Sequence, residues 1–182
     1  MIELQYYIEK KMTKLKIIIA PDQLLNTICT EVKRIEKETL FFIENMVDTM
    51  YESNGIGLAA PQVGTMDRIL VMDCSYDENN RKLKKIINPE VIEYSDQLSE
   101  YEEGCLSLPQ QFAKIERPSK VKVRYLDING KRIEEEFGGL EATCVQHEID
   151  HLNGKLFIDH INKFIKKIIL KKLQKYKKAN NL

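Results

Sequence analysis

No stretch of this 182-residue chain is long and apolar enough to cross a bilayer, which argues against a membrane-spanning protein. The first residues, Met1 to Lys11, mix Glu, Gln, Tyr and Lys and lack the apolar core of a secretory signal. Cysteine is sparse: Cys29, Cys74, Cys105 and Cys144 are too few and too scattered for a disulfide framework. The expectation is a soluble, reduced, cytoplasmic protein. No internal repeat or low-complexity linker divides the chain. One domain over 1–182 is therefore expected, large enough to bury a core without cross-links. Met12 is a second candidate start, which would make 1–14 an N-terminal extension. A net charge of zero announces neither DNA nor a membrane as partner. The charge is uneven along the chain. Lys163 to Leu182 holds eight lysines and no Asp or Glu, which leaves the remainder with 20 basic against 28 acidic residues.

What is present reads as a mixture of helices and strands. Leu15 to Ala20 is a short β-prone run ended by Pro21-Asp22. Ile35, Leu40, Phe42, Ile43, Met46, Val47 and Met50 recur at helical spacing, predicting a helix over 31–51. Asn54-Gly55-Ile56-Gly57 breaks it. Strands are expected over 68–73 and 84–94, the second interrupted at Asn88-Pro89. A hairpin is expected from 121–126 and 131–137 around the turn at Asp127 to Gly130. A helix follows over 140–153, stopped by Gly154, and a last helix spans 161–178. Strands grouped ahead of late helices predict an α+β fold, with antiparallel or mixed sheets packed around the helix that carries residue 147, rather than alternating βαβ units.

That helix carries His147-Glu148-Ile149-Asp150-His151. Histidines at i and i+4 share one helix face, so both imidazoles can reach one metal ion. Glu148 beside the first ligand can hold a bound water and take its proton. The third ligand discriminates between chemistries. A metzincin-type site needs a third His three residues after Gly154, where Phe157 stands. A thermolysin-type site needs a downstream Glu, and the only acid after His151 is Asp159. His160, the remaining histidine, lies past the glycine stop. The best candidate is therefore upstream, at Cys105 in Glu102-Glu103-Gly104-Cys105-Leu106-Ser107, where a metal would supply the positive charge a thiolate needs.

Three segments then resemble the signature motifs of the peptide deformylase family, in the family's order and at similar separations. They are Gly55-Ile56-Gly57-Leu58-Ala59-Ala60-Pro61-Gln62-Val63-Gly64, Glu103-Gly104-Cys105-Leu106-Ser107, and Gln146-His147-Glu148-Ile149-Asp150-His151-Leu152-Asn153-Gly154. The resemblance runs from Pro21-Asp22 through the C-terminal helix. It implies one divalent metal, iron(II) ahead of zinc, held by Cys105, His147 and His151. It implies Glu148 as general acid/base, with the Gln62 side chain and the Leu106 backbone N–H donating to the oxygen that gains negative charge. The implied reaction removes the formyl group from formyl-methionyl nascent peptides and releases formate. Gly55, Gly57 and Gly104 are implied to border the substrate, and Ile56, Tyr101, Leu140, Thr143 and Cys144 to line the slot for the methionine side chain. Phe112 falls where some relatives carry an arginine near the cleft.

Two rival readings of the residues remain distinguishable. An HExxH protease with a cysteine ligand would cleave internal peptides instead. A structural metal site usually closes with four protein ligands and would leave Glu148 and Gln62 without a task. Glu103 is expected either to orient a ligand histidine or to pair with Arg117. In the last helix, Ile161, Ile165, Ile168, Ile169, Leu173 and Tyr176 form one stripe expected to pack on the domain. Lys163, Lys166, Lys167, Lys171, Lys175 and Lys178 then face outward, either as a solvated face or, as the resemblance implies, as a surface for the ribosome's phosphate-rich RNA.

Overall fold

The computed structural model describes residues 14–75 and 79–181, so Met12 lies outside the described residues. Three helices and seven strands follow in the order α1 (Lys37–Glu52), β1 (Gly57–Ala59), β2 (Ile69–Met72), β3 (Lys84–Tyr94), β4 (Leu98–Cys105), β5 (Leu108–Pro118), β6 (Lys120–Leu126), β7 (Arg132–Gly138), α2 (Gly139–Leu152) and α3 (Lys163–Ala179). Strands β1-β2-β3-β6-β7 form one antiparallel sheet, and β4-β5 form a separate hairpin. The fold is α+β, as the element pattern implied.

The sheet is covered on both faces, and β2 shows why its residues are apolar in succession. Leu70 and Met72 point to one side, where they join Val121, Val123 and Phe137 against Ala142, Val145 and Ile149 of α2. Ile69 and Val71 point to the other, against Ile43, Met46 and Met50 of α1. Alternation along a strand sends successive side chains to opposite faces. A strand packed on both faces therefore loses its polar positions. Helix α2, which carries the histidines, lies directly on this sheet, and ten of its residues are buried.

Four expectations are corrected. Helix α1 begins at Lys37 rather than near Glu31. Asn88 holds the intervening segment in place by accepting from the Val32 N–H at 2.8 Å and donating to the Val32 carbonyl at 2.9 Å. The Asn88-Pro89 interruption is a shift of register within β3, with Asn88 at φ 52°, so the strand continues through it. Leu15 to Ala20 joins no ladder. It lies along the motif loops instead, through Ile18 N–H to Gln62 O at 2.8 Å and Ala20 N–H to Ser107 O at 2.9 Å. The apolar stripe of α3 packs only in part. Ile169 and Leu173 are buried with Leu108, Ile115 and Phe157, while Ile165 and Ile168 are 50% and 40% exposed. Two lysines of α3 are engaged, and one of them, Lys166, was expected to face outward. Lys166 pairs with Asp159, and Lys177 donates to the Ile19 and Pro21 carbonyls. Among the described residues no helix is long and apolar enough to cross a membrane.

Candidate active site

Helical periodicity places His147 and His151 one turn apart on α2, with ring centroids 5.0 Å apart and planes at 72°. Cys105 ends β4 and arrives from the hairpin. Its Sγ lies 3.2 Å from His151 Nε2. One donor atom from each of Cys105, His147 and His151 falls within 4.8 Å of the others. The hairpin makes this approach through a shift of register between Gly104 and Cys105. His160 takes no part in the cluster and binds Asp150 at 2.7 Å.

Hydrogen bonds fix how the donors point. Glu103 Oε2 lies 2.8 Å from His147 Nδ1, which leaves Nε2 of that ring for the cluster. Glu103 is buried at 5% exposure and also receives Arg117, whose Nε and Nη2 lie 2.6 and 3.1 Å from its two oxygens. The two contacts expected of Glu103, with a histidine of the cluster and with Arg117, are thus present together. Gln62 is fixed as well. Its Oε1 accepts from the Ala59 N–H at 2.8 Å, so the amide nitrogen must face Cys105 Sγ and Ser107 Oγ, at 3.4 and 3.3 Å. Ser107, fully buried, was not singled out by the sequence although it lies within the cysteine motif.

Glu148 is 4% exposed, and its Oε2 has no hydrogen-bond partner. Burial pushes its pKa up to about 7, against the attraction of His147. Such a carboxyl can both take and return a proton near neutral pH. Burial also works against a charged His147, but its hydrogen bonds with Cys105 and Glu103 outweigh that and hold its pKa well above the usual value. Burial and the neighbouring His147 hold His151 well below it. Glu103 stays below the usual carboxylate range because bonds from His147 and Arg117 outweigh its burial.

The cluster opens into a cavity of about 430 Å³. Every residue expected to border the substrate lines it: Gly55, Ile56, Gly57, Tyr101, Gly104, Leu140, Thr143 and Cys144. Gln62, Leu106, His147 and Glu148 line it too, as does Phe112 at the rim. Thr143, one of the lining residues, carries a buried hydroxyl without a hydrogen-bond partner. The glycines are there for space. A Cβ on Gly104 would stand 2.6 Å from the Phe112 ring, and one on Gly55 would stand 2.8 Å from Leu106 Cδ1.

A family model described as polypeptide deformylase matches residues 14–167. The chain belongs to the polypeptide deformylase family. A peptide deformylase of Pelagibacter ubique is 48% identical over 166 residues, covering 91% of this chain and 96% of the relative. One from Brucella suis is 47% identical over 159 residues, covering 87% and 91%. The crystal structure of peptide deformylase from Ehrlichia chaffeensis superposes with a TM-score of 0.87 at 35% identity, over 93% of this chain and 100% of that one. The chain is a deformylase, a hydrolase that removes the N-formyl group of nascent polypeptides, and its family uses a divalent metal. The donor set suits such an ion. A thiol and two imidazoles converge, one imidazole is braced by a carboxylate, and an unpartnered carboxylate oxygen lies alongside.

Proposed function

We propose that deformylation is carried out by Cys105, His147 and His151 as metal ligands, Glu148 as the proton-transferring group, and Gln62 with the Leu106 backbone N–H as donors to the developing oxyanion, all within one catalytic domain. The observation that carries this reading is the convergence of the three donors beside Glu148 at one wall of the cavity. The bound metal supplies Lewis acidity. Cys105, His147 and His151 would hold such an ion with fewer ligands than the four that usually close a structural site, leaving it open to substrate. Glu148, its pKa pushed up to about 7 by burial, accepts a proton in one step and delivers it to the leaving amine nitrogen in the next. Gln62 presents its amide N–H groups in a fixed direction, so no reorganisation is needed as negative charge grows on the formyl oxygen. The slot formed by Ile56, Tyr101, Leu140, Thr143 and Cys144 takes the unbranched methionine side chain, with Gly55, Gly57 and Gly104 allowing close approach of the peptide.

The metal in this reading is iron(II), ahead of zinc. One thiolate and two imidazoles accept either ion, and the preference rests on the resemblance to the deformylase family. The working place is the cytoplasm, where formyl-methionyl chains emerge from the ribosome. The exposed lysines of α3 supply a docking surface for ribosomal RNA phosphate. Anaerobic metal analysis paired with formate release from a formyl-Met peptide tests the reading. Iron near one equivalent with rapid formate release is the expected result. Cleavage of internal peptide bonds, or metal that cannot be removed without unfolding the chain, would overturn it.

A further inference from the structure

The ligands of the metal reading come from two elements that could move independently. Cys105 ends the β4-β5 hairpin, while His147 and His151 sit on α2. A ring of charged side chains ties those elements together. His147 Nδ1 meets Glu103 Oε2 at 2.8 Å, and Glu103 is two residues before Cys105 on β4. Arg117 on β5 clamps both oxygens of Glu103 from the side. Its third nitrogen, Nη1, donates to Asp150 Oδ2 at 2.7 Å. Asp150 stands three residues after His147 on α2, so the ring closes through one turn of the helix that presents the ligands. Outside the ring, His160 Nε2 reaches the same Asp150 oxygen at 2.7 Å. Asp150, Arg117 and His160 line a second cavity of about 310 Å³ on the side of α2 away from the substrate pocket.

We propose that Asp150, latched from outside by His160, is a positioning residue for the metal centre: it closes the ring through Arg117 and Glu103 and so sets Cys105 against His147 and His151. The fork of Arg117 fixes the guanidinium plane on Glu103, and its remaining Nη1–H is free to tie that plane to a second element. Asp150 supplies that tie from α2, and without it the Glu103–Arg117 pair is anchored to the helix through His147 alone. A role in stability alone is a poor account of the ring. Apolar side chains of similar volume would stabilise the same contact as well or better than buried ion pairs. The hairpin already has an apolar seat of Leu108, Ile115 and Phe157.

This inference rests on Cys105, His147 and His151 being the ligands, and its test separates the two. Wild type, Asp150→Ala, Asp150→Asn, His160→Ala and His160→Gln are loaded anaerobically with cobalt(II). Each is read by its absorption spectrum and by its rate of cobalt loss to excess EDTA. Groups that orient metal ligands typically change affinity 10- to 100-fold. Acting one step further out, Asp150→Ala should release cobalt about tenfold faster, with shifted d–d bands, and His160→Ala about threefold faster. Asp150→Asn keeps an acceptor and His160→Gln keeps a donor, so both should recover most of the loss. Wild-type spectra and release rates in folded Asp150→Ala and His160→Ala would overturn the proposal. Should Asp150→Ala fail to fold, His160→Ala decides alone, because the His160 side chain is 36% exposed. A wild-type cobalt spectrum without a thiolate charge-transfer band would overturn the ligand assignment and the positioning role with it.

Discussion

The carboxylate of Glu148 fills the space over Gly57: a Cβ on that glycine would collide with Glu148 Oε1 and stand 2.9 Å from Cys144 Sγ. Strand β1 therefore cannot carry a side chain at this position without moving the carboxylate proposed to transfer the proton. Gly57→Ala should lower kcat by displacing Glu148. Glu148→Gln itself should lose about 10²–10⁴-fold in turnover, the range typical of a general acid–base group. Both variants should keep their metal, measured by elemental analysis. Turnover of Glu148→Gln within about threefold of wild type would remove the assigned role.

Cys105→Ala should lose both metal and activity, because the cluster then has only two donors. Cys29 and Cys74 lie outside the cluster, and Cys29→Ala and Cys74→Ala should keep their metal. Metal content in Cys105→Ala equal to wild type would contradict ligation.

The two kinds of apolar residue on α3 should behave differently. Leu173 is fully buried against the hairpin, and Leu173→Ala should cost about 2–4 kcal/mol in denaturant unfolding. Phe164 is 71% exposed, and Phe164→Ala should stay within about 0.5 kcal/mol of wild type. A large loss at Phe164 would mean that another surface covers it.

The Tyr51 hydroxyl donates to Asp73 Oδ2 at 2.7 Å, joining the end of α1 to the end of β2. Burial raises the Asp73 carboxyl, but its bonds from Ser75, Tyr51 and Lys82 outweigh that and hold its pKa below the usual aspartate value. A carboxyl depressed on folding contributes stability above its unfolded pKa and loses it as pH falls through the folded value. Tyr51→Phe should therefore cost about 1–2 kcal/mol at neutral pH, and the difference from wild type should shrink below a pH of about 4. Denaturant titrations at several pH values check both points, and a difference that grows on acidification would refute the pairing.

Charge reversal at Lys167, Lys171 and Lys175, all exposed on α3, should weaken co-sedimentation with ribosomes at low salt. It should leave hydrolysis of a short formyl-Met peptide unchanged, since none of the three lines the cavity. Unaltered co-sedimentation would leave these lysines as a solvated face.

The sequence alone determined whatever depends on local periodicity. Helical spacing puts His147 and His151 on one face with Glu148 beside them, and strand alternation with a turn gives the β6-β7 hairpin. The β4-β5 hairpin was not legible in this way. From Leu98 to Cys105 only Glu103 is buried, so no apolar alternation marks the strand that delivers Cys105. Tertiary structure also decided which residues of a periodic stripe have something to pack against. Spacing marks six residues of 161–176 as equivalent, yet the hairpin and its neighbours offer a full seat only to Ile169 and Leu173. The ring through His147, Glu103, Arg117 and Asp150 belongs to the same class. Periodicity fixes the direction in which a side chain leaves its own element. What stands opposite is set by long-range packing, and here that packing holds a cysteine from a strand against two histidines from a helix.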